Sequence, residues 1–243
     1  MKAAPQFQRR LLDVQAVDTA IAQVEHRRRS LPEHAQIAEA AKQRAAILDA
    51  LVAVKTQVSD LELDVEKAEA DLVPVKERRA RNQQRVDAGA ADPKALTALI
   101  DEIAHLDRRI SDLEDEQLDL MEKLEEATAR QEKLSADRTD IENTLRALMA
   151  ARDAQTAEMD VQIADFQAER AQLVTDIPSD LLALYDRIRE RSGGVGAAEL
   201  RGGRCGGCQL EATAGGMAAY RAAADDEVLR CEECDRILVR EAA

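Results

Sequence analysis

The sequence predicts a mainly α-helical protein, in which a long, kinked, antiparallel coiled-coil hairpin is followed by a small C-terminal zinc ribbon with four cysteines. Three observations predict this fold class. Apolar residues recur at alternating steps of three and four over many heptads, which is typical of coiled coils. Aromatic residues are 2% and charged residues 34% of the 243 residues, a composition that suits long helices. The four cysteines form two C-x2-C pairs near the C-terminus.

The first predicted element is an N-terminal helix over about residues 6–30. The sequence Ser30-Leu31-Pro32-Glu33 predicts a break near 31–33, with Ser30 as the N-cap of the next helix. We expect the apolar face of the first helix to pack on the end of the second hairpin arm. The face consists of Leu11, Val14, Val17, Ile21 and Val24, and the facing arm residues are Met159, Val161, Ile163 and Phe166.

The hairpin is predicted over residues 1–176. Its first heptad run extends from Leu51 to Val86, with a kink at Pro74, and its second run begins at Leu96. The turn is expected near 87–93, where Gly89, Asp92 and Pro93 suit a C-cap, an N-cap and a first helical turn. A short connection makes the two helices antiparallel, which pairs Val86 with Leu96, Leu72 with Ile110 and Leu61 with Leu120.

Charge is spread unevenly along the hairpin. An acidic waist falls where residues 60–71 face residues 112–122, and a basic tip lies near the turn. The basic tip comprises Lys76, Arg78, Arg79, Arg81, Arg85 and Lys94. These bases either solubilise a long helix surface or meet an acidic partner or RNA. The net charge of −14 disfavours binding to nucleic acid or to anionic membranes by the protein as a whole.

Residues 177–196 are predicted to form a short helix and a mobile glycine hinge. Ile177-Pro178-Ser179-Asp180 ends the arm and caps the helix, and Ser192-Gly193-Gly194-Val195-Gly196 breaks it. The ribbon is predicted over 197–243, with short strands at 200–204, 209–213, 228–230 and 237–239 and a helical turn or two within 218–224. A segment this short generally needs a metal or disulfides to fold.

The cysteine pairs predict one structural zinc ion. Cys205, Cys208, Cys231 and Cys234 have the spacing of a tetrahedral four-thiolate site, which leaves no position open for a catalytic water. Two redox-active pairs or two disulfides are the alternatives. Redox C-x-x-C pairs belong to thioredoxin-like βαβ folds, which the helical pattern does not suggest.

No enzyme is predicted. His26, His34 and His105 lie far apart in the sequence and near no motif, and no nucleotide-binding fingerprint is present. No apolar run reaches the length of a membrane span, and the N-terminus lacks the pattern of a secretory signal. Cysteines confined to one metal-like cluster suit a reducing compartment, so we expect a cytoplasmic protein.

The C-terminal motifs carry a family resemblance. Gly203-Arg204-Cys205-Gly206-Gly207-Cys208 and Val228-Leu229-Arg230-Cys231-Glu232-Glu233-Cys234, together with the helical hairpin before them, resemble the bacterial coiled-coil proteins with a C4-type zinc ribbon, especially actinobacterial members. The resemblance implies a kinked coiled coil joined to a ribbon, with zinc on the four cysteines. The family commonly has glycine after the last cysteine, where this chain has Asp235. Some members in flagellated bacteria are linked to flagellar biogenesis, sigma-factor binding and RNA binding.

The expected function is that of a non-enzymatic adaptor that engages protein partners through the coiled coil and the ribbon. One alternative is a regulatory protein that binds RNA or DNA through the ribbon arginines and the basic tip. A thiol redox protein is the other alternative. The sequence identifies neither the partner nor the oligomeric state, for which a monomer or a weak dimer is expected.

Overall fold

The computed structural model describes residues 1–89 and 92–241 and is mainly α-helical, as predicted. Five helices lie in the described part of the chain: α1 (Pro5–Arg29), α2 (Pro32–Asp87), α3 (Pro93–Leu173), α4 (Ser179–Arg191) and α5 (Ala214–Ala222). Four short strands lie there as well: β1 (Ala197–Arg201), β2 (Arg204–Cys205), β3 (Leu229–Arg230) and β4 (Ile237–Arg240). In these 239 residues no helix offers the apolar length that crossing a membrane requires.

The predicted heptad positions form the buried seam of the α2–α3 hairpin. Leu51 and Val54 are 5% and 3% exposed, whereas Val52 between them is 67% exposed. Every seam position named in the two heptad runs is buried or half-buried. The helix α2 continues through Pro74, so this proline does not end it. The seam is therefore the coiled-coil contact that the three-four spacing predicts.

Ion pairs confirm that α2 and α3 are antiparallel. Arg78 pairs with Glu102, and Arg44 pairs with Glu142 at 3.2 Å, so residues further from the turn on one helix meet residues further from it on the other. The Asp92 carboxylate accepts hydrogen bonds from the N–H groups of Lys94 and Ala95, which confirms the predicted N-cap. The middle of the predicted turn, residues 90 and 91, lies outside the described residues.

The break between α1 and α2 falls where it was predicted, but the role predicted for Ser30 is wrong. Its hydroxyl donates to the carbonyl of His26 at 2.8 Å, and its N–H donates to the same carbonyl. Ser30 therefore ends α1, because its side chain and backbone bond to that helix and not to the N–H groups of α2.

The helix α1 lies beside the end of the second arm, as predicted, with ion pairs from Asp18 to Arg170 and from Arg28 to Asp160, but its apolar face also packs on other elements. Leu11 and Val14 are fully buried in a core with α4, β1 and β4. On the second arm Ile163 is buried, as expected, whereas Val161 is 62% exposed, so its predicted role is wrong. The sequence did not show that the N-terminal helix shares a core with the C-terminal sheet. This core consists of Ala3, Leu11, Val14, Ile177, Leu181, Tyr185, Ile188, Ala197, Val228, Ile237 and Val239.

The ribbon contains a four-stranded sheet in the order β2-β1-β4-β3. The central pair β1 and β4 is parallel, and the two outer pairs are antiparallel. The strand predicted over 209–213 is absent there, and only an isolated bridge joins Arg204 to Glu211. The helix predicted within 218–224 starts earlier, because the Thr213 hydroxyl accepts from the N–H of Gly216 and caps α5.

The glycine segment after α4 is fastened by hydrogen bonds, which corrects the predicted mobile hinge. Gln15 accepts from the N–H of Gly196 at 2.7 Å and donates to the carbonyl of Gly194 at 3.0 Å. The Arg236 guanidinium donates to the carbonyls of Ser192 and Val195. A Cβ at Gly196 would lie 2.7 Å from the Tyr185 carbonyl oxygen, so this glycine permits a close approach to α4.

By contacts, the chain forms two compact units whose boundaries differ from the three predicted segments. One unit comprises Met1–Ala35 with Met149–Ala243, and the other spans Gln36–Leu148. The first unit holds the ribbon together with α1, α4 and the end of α3. The second unit is the part of the hairpin that contains the turn.

Candidate metal centre

Two knuckles of matching geometry present the four cysteines. The N–H of Cys205 donates to the carbonyl of Leu210, and the N–H of Cys231 donates to the carbonyl of Arg236, in each case five residues onward. The residue after each second cysteine has a left-handed backbone, with φ of 63° at Gln209 and 62° at Asp235. Asp235, which stands where the family commonly has glycine, thus adopts a left-handed conformation that aspartate tolerates better than most residues do.

The four sulfurs converge on one point. They all lie within 4.8 Å of one another, with Sγ–Sγ distances of 3.9 Å for Cys205 and Cys234 and 3.8 Å for Cys208 and Cys231. A zinc ion with four thiolates at about 2.3 Å requires sulfurs about 3.8 Å apart. The arrangement therefore fits a single tetrahedral zinc ion on all four predicted residues, and it holds no disulfide.

Burial and hydrogen bonding set the ionisation of the thiols in opposite directions. Burial raises the pKa of Cys231 to about 12 and also raises the pKa of Cys205. Burial opposes ionisation of Cys234 too, but hydrogen bonds from the Arg236 backbone and side chain and from neighbouring thiols lower its pKa to about 7. Zinc, a dication, supplies the charge that keeps all four as thiolates.

The glycines of the first knuckle make room for close neighbours. Gly206 and Gly207 are not among the described residues that have positive φ, so neither has a left-handed backbone. A Cβ at Gly206 would lie 3.1 Å from the Glu199 carbonyl oxygen, and one at Gly207 would lie 2.5 Å from the Cδ of Arg236. The second knuckle has Glu232 and Glu233 at the matching positions. The two glycines of the first knuckle thus allow close packing against β1 and Arg236.

Most ribbon arginines bind their own chain. Arg204 pairs with Glu211 at 2.6 Å, Arg201 with Glu241 at 3.3 Å, and Arg230 with Asp235. The Arg240 guanidinium donates to the carbonyls of Tyr220, Ala223 and Ala224 and so caps the end of α5. With Arg236 on the glycine segment, five of the six arginines are engaged, and Arg221 is exposed.

A buried polar cluster next to the ribbon was missed by the sequence analysis. Asp18, 4% exposed, accepts a hydrogen bond from the Tyr185 hydroxyl at 2.8 Å and pairs with Arg170 at 2.7 Å and with Arg189 at 3.4 Å. Gln15 accepts from the same hydroxyl at 3.1 Å. The spacing of Gln15 and Asp18 on an otherwise apolar face of α1 was the one available signal.

The three histidines do not contribute to the metal centre. All are exposed, and the only group of metal-ligating side chains within the described residues is the cysteine cluster. His34 contacts the carbonyl of Arg28 near the α1–α2 break, at 3.2 Å.

Comparison with known families fits this architecture. The model for the CT398-like coiled coil hairpin domain matches residues 14–193, and the model for the C4-type zinc ribbon domain matches residues 204–238. The chain belongs to the CT398-like coiled-coil hairpin family. The predicted fold class, zinc ribbon and structural zinc ion are thereby confirmed.

Similar proteins share both parts. An uncharacterized protein from Mycobacterium tuberculosis is 35% identical over 240 residues, covering 99% of this chain and 98% of its own length. A solved structure from Mycobacterium smegmatis has a TM-score of 0.83 at 34% identity and covers 99% of this chain and 100% of its own. CT398 from Chlamydia trachomatis, at 16% identity and a TM-score of 0.71, covers 97% and 98% and shows the shared fold.

Proposed function

We propose that this protein is a non-enzymatic cytoplasmic adaptor that binds partner proteins through its coiled coil and its ribbon. Zinc acts as a structural ion in this proposal, since four sulfurs complete a tetrahedral shell and leave no position for a substrate. Unbonded thiols in a metal cluster suit a reducing compartment.

The observation that carries the proposal is the engagement of the ribbon arginines. A nucleic-acid-binding ribbon needs guanidinium groups free to reach phosphates. Here Arg236 and Arg240 are fixed on backbone carbonyls, and Arg201, Arg204 and Arg230 are paired with carboxylates. A protein partner, which can dock on side chains of either polarity, is the better fit.

The basic tip of the hairpin supports the same choice. Lys76 pairs with Glu114 at 2.6 Å, Arg79 with Asp107 at 2.9 Å, and Arg78 with Glu102. Binding RNA there would require several exposed ion pairs to break. These pairs are individually weak, so they reduce the affinity for RNA without abolishing it. Arg81 pairs with Glu77 at 3.4 Å, so Arg85, Lys94 and Arg221 are the most available candidates for the RNA or DNA alternative.

The proposal is tested with the full-length zinc-loaded protein as bait in native lysate, with and without nuclease. We expect the same protein partners in both samples, because the contacts are between proteins. A gel-shift titration with random RNA and random duplex DNA at physiological salt is expected to show no complex. Partners that vanish with nuclease, together with a shifted nucleic-acid band, would contradict the adaptor proposal and favour the nucleic-acid alternative.

A paired variant sharpens the gel shift. Arg221→Gln removes the ribbon arginine that is most available, and Arg109→Gln, which removes an exposed arginine of the hairpin, is the matched control. If the wild-type protein does shift RNA and only Arg221→Gln weakens it, the ribbon is the nucleic-acid surface.

A further inference from the structure

An apolar groove follows α3 through the acidic waist, within the unit spanning Gln36–Leu148. Its volume is about 700 Å³. Leu118 and Met121 line it and are 58% and 49% exposed, although neither belongs to the coiled-coil seam. Three carboxylates, those of Glu122, Glu125 and Glu132, line the same groove. Exposed apolar side chains beside a row of charges are typical of a binding surface.

The groove overlaps the acidic waist and is lined by three glutamates. Residues 60–71 hold six acidic side chains and one lysine, and residues 112–122 hold six acidic side chains and no basic one, so the two stretches of the waist carry −5 and −6. None of the three groove glutamates makes an ion pair with a described residue, whereas Glu114 nearby is paired with Lys76. Such a surface is complementary to a basic partner.

The geometry selects a helical partner. The groove is bordered by helix surface, which offers side chains but no strand edge for an extended peptide to join. From Leu118 to Glu132 is about four helical turns, or ~21 Å, the length of a helix of about 14 residues. A third helix that lays an apolar stripe beside the seam would complete a three-helix bundle locally.

We propose that this groove binds one amphipathic helix of a partner protein, with an apolar stripe flanked by lysine and arginine residues. The proposal rests on the adaptor function and specifies the surface and the chemistry of the partner. A second copy of this chain would bring two acidic waists together, which like-charge repulsion opposes. Nucleic acid is repelled from the same surface for the same reason.

A model peptide tests the groove in the full-length, zinc-loaded protein. The probe is a fluorescein-labelled helical peptide of leucine, lysine and alanine, with leucine at heptad-spaced positions and lysine on both flanks. We expect saturable binding by fluorescence anisotropy that weakens as salt is raised, because the charge contribution is screened. A scrambled peptide of equal composition lacks the stripe, and a peptide with glutamate for lysine lacks the charge, so both are expected to bind about tenfold or more weakly.

Variants locate the binding surface. Leu118→Gln with Met121→Gln removes the apolar floor, and Glu122→Gln with Glu125→Gln and Glu132→Gln removes the charge. Each set is expected to weaken binding about tenfold or more, and the second is also expected to reduce the salt dependence. The matched control is Ile100→Gln with Asp101→Asn, an exposed apolar and acidic pair on the same helix outside the groove. It is expected to bind like the wild type.

Three outcomes would overturn the proposal. Equal binding of the scrambled peptide would show charge attraction without a groove. Equal loss in the Ile100 and Asp101 control would place the site elsewhere. Concentration-dependent dimerisation in analytical ultracentrifugation that Leu118→Gln with Met121→Gln abolishes would show that a second copy occupies the groove.

Photo-crosslinking inside living cells that express the protein separates this proposal from the adaptor function. The crosslinking residue is placed at position 121, in the groove, or at position 221, in the ribbon. Crosslinks to proteins from position 221 alone would leave the adaptor function standing and reject the groove. Crosslinks to nucleic acid at both positions would reject the adaptor function itself.

Discussion

Asp18 is the buried charge on which the first unit depends. Its carboxylate forms ion pairs with Arg170 of α3 and Arg189 of α4 and accepts a hydrogen bond from the Tyr185 hydroxyl of α4. One carboxylate of α1 therefore joins three helices. Burial of Arg170 opposes its charge, but the hydrogen bond and the charge of Asp18 outweigh this and raise the pKa of the guanidinium. The cluster is thus a set of mutually dependent partners, and removal of one leaves the others unsatisfied.

Asp18→Asn is expected to lower the free energy of unfolding of this unit by about 2–4 kcal/mol, since it leaves two arginines without their buried partner while their side chains keep some contact with water. Urea unfolding followed by tyrosine fluorescence measures it, because both tyrosines lie in this unit. Asp186→Asn, at a half-buried carboxylate on the same arginines, is the control and should cost below about 1 kcal/mol. Equal effects of the two variants would contradict a special role for Asp18.

Because of Tyr185, the stability of the same unit is expected to fall at high pH. Burial, followed by the hydrogen bond and the charge of Asp18, raises the pKa of this phenol well above its ordinary value. Above the pKa of the unfolded state, the folded state therefore keeps the phenol proton of Tyr185, whereas the unfolded state releases it. Stability is complete below about pH 10, the unfolded pKa, and falls as the pH rises above it. Unfolding midpoints in urea between pH 8 and 11 measure this decline. Tyr185→Phe should flatten it, and an unchanged slope would show that Tyr185 is not its source.

At the scale of the element, Asn82 is the buried polar residue of the hairpin seam, whose other polar members, Arg79 and Gln117, are half-buried. It is 7% exposed, and its side-chain amide nitrogen has no hydrogen-bond partner among the described residues. A single buried asparagine in a coiled-coil seam costs stability and restricts register and partner number. Its place near the turn restricts which heptads of α2 and α3 can pair.

Asn82→Leu is expected to stabilise the hairpin by about 1–2 kcal/mol, since it removes a buried unsatisfied amide and adds apolar contact. Thermal unfolding followed by far-ultraviolet circular dichroism measures the change. Gln83→Leu, at the neighbouring half-buried position outside the named seam, is the control and should change stability little. A destabilised Asn82→Leu variant would mean that the amide has a partner in solution, such as a bound water.

The glycine segment shows how an element can be misjudged from composition. The glycine content of this segment suggests a flexible chain. In the structure Gly193 and Gly194 have positive φ, which glycine adopts without strain. Gln15 and Arg236 come from distant parts of the sequence and hydrogen-bond to this segment. The glycines therefore allow a tight fixed turn between α4 and β1.

At the scale of the whole molecule, zinc is expected to support more than the ribbon. The β1 and β4 residues Ala197, Ile237 and Val239 belong to the core that buries Leu11 and Val14 of α1. Loss of the metal therefore weakens the attachment of α1 and α4 as well as the cysteine knuckles. The residues of this core all lie in the first unit, and the second unit has its own coiled-coil seam.

Cys231→Ser is therefore expected to lose zinc and the folded tyrosine signal together, while the helical dichroism of the hairpin persists. Elemental analysis, tyrosine near-ultraviolet dichroism and far-ultraviolet dichroism of the full-length variant measure the three properties. A wild-type sample treated with a chelator should show the same three changes as Cys231→Ser. The control is Ser135→Ala on the hairpin, which should leave the zinc content and both dichroism signals unchanged. A retained tyrosine signal without zinc would show that the α1 core holds the sheet unaided.

Much of the fold and of the metal centre could be predicted from local patterns. The heptads of α2 and α3 give the buried seam at the named positions, because a three-four repeat puts one stripe on one helix face wherever the helix lies. Cys205, Cys208, Cys231 and Cys234 converge as their spacing indicates, because the tetrahedral geometry of zinc allows few solutions. The strand predicted over 209–213 was wrong, because Thr213 caps α5 and only one isolated bridge forms in this segment. Neither a side-chain cap nor a single bridge produces a periodic sequence pattern.

The amino-acid sequence alone determined the helical hairpin, its antiparallel direction and the four zinc ligands, because each depends on residues close in sequence or on fixed coordination chemistry. The tertiary structure alone decided that α1 shares a core with the ribbon, that the arginines of the ribbon bind their own chain, and that Leu118 and Met121 line an acidic groove. These features join residues as far apart as Gln15 and Gly196, and no local periodicity specifies such contacts. The zinc ribbon is therefore part of a larger unit that the N-terminal helix completes.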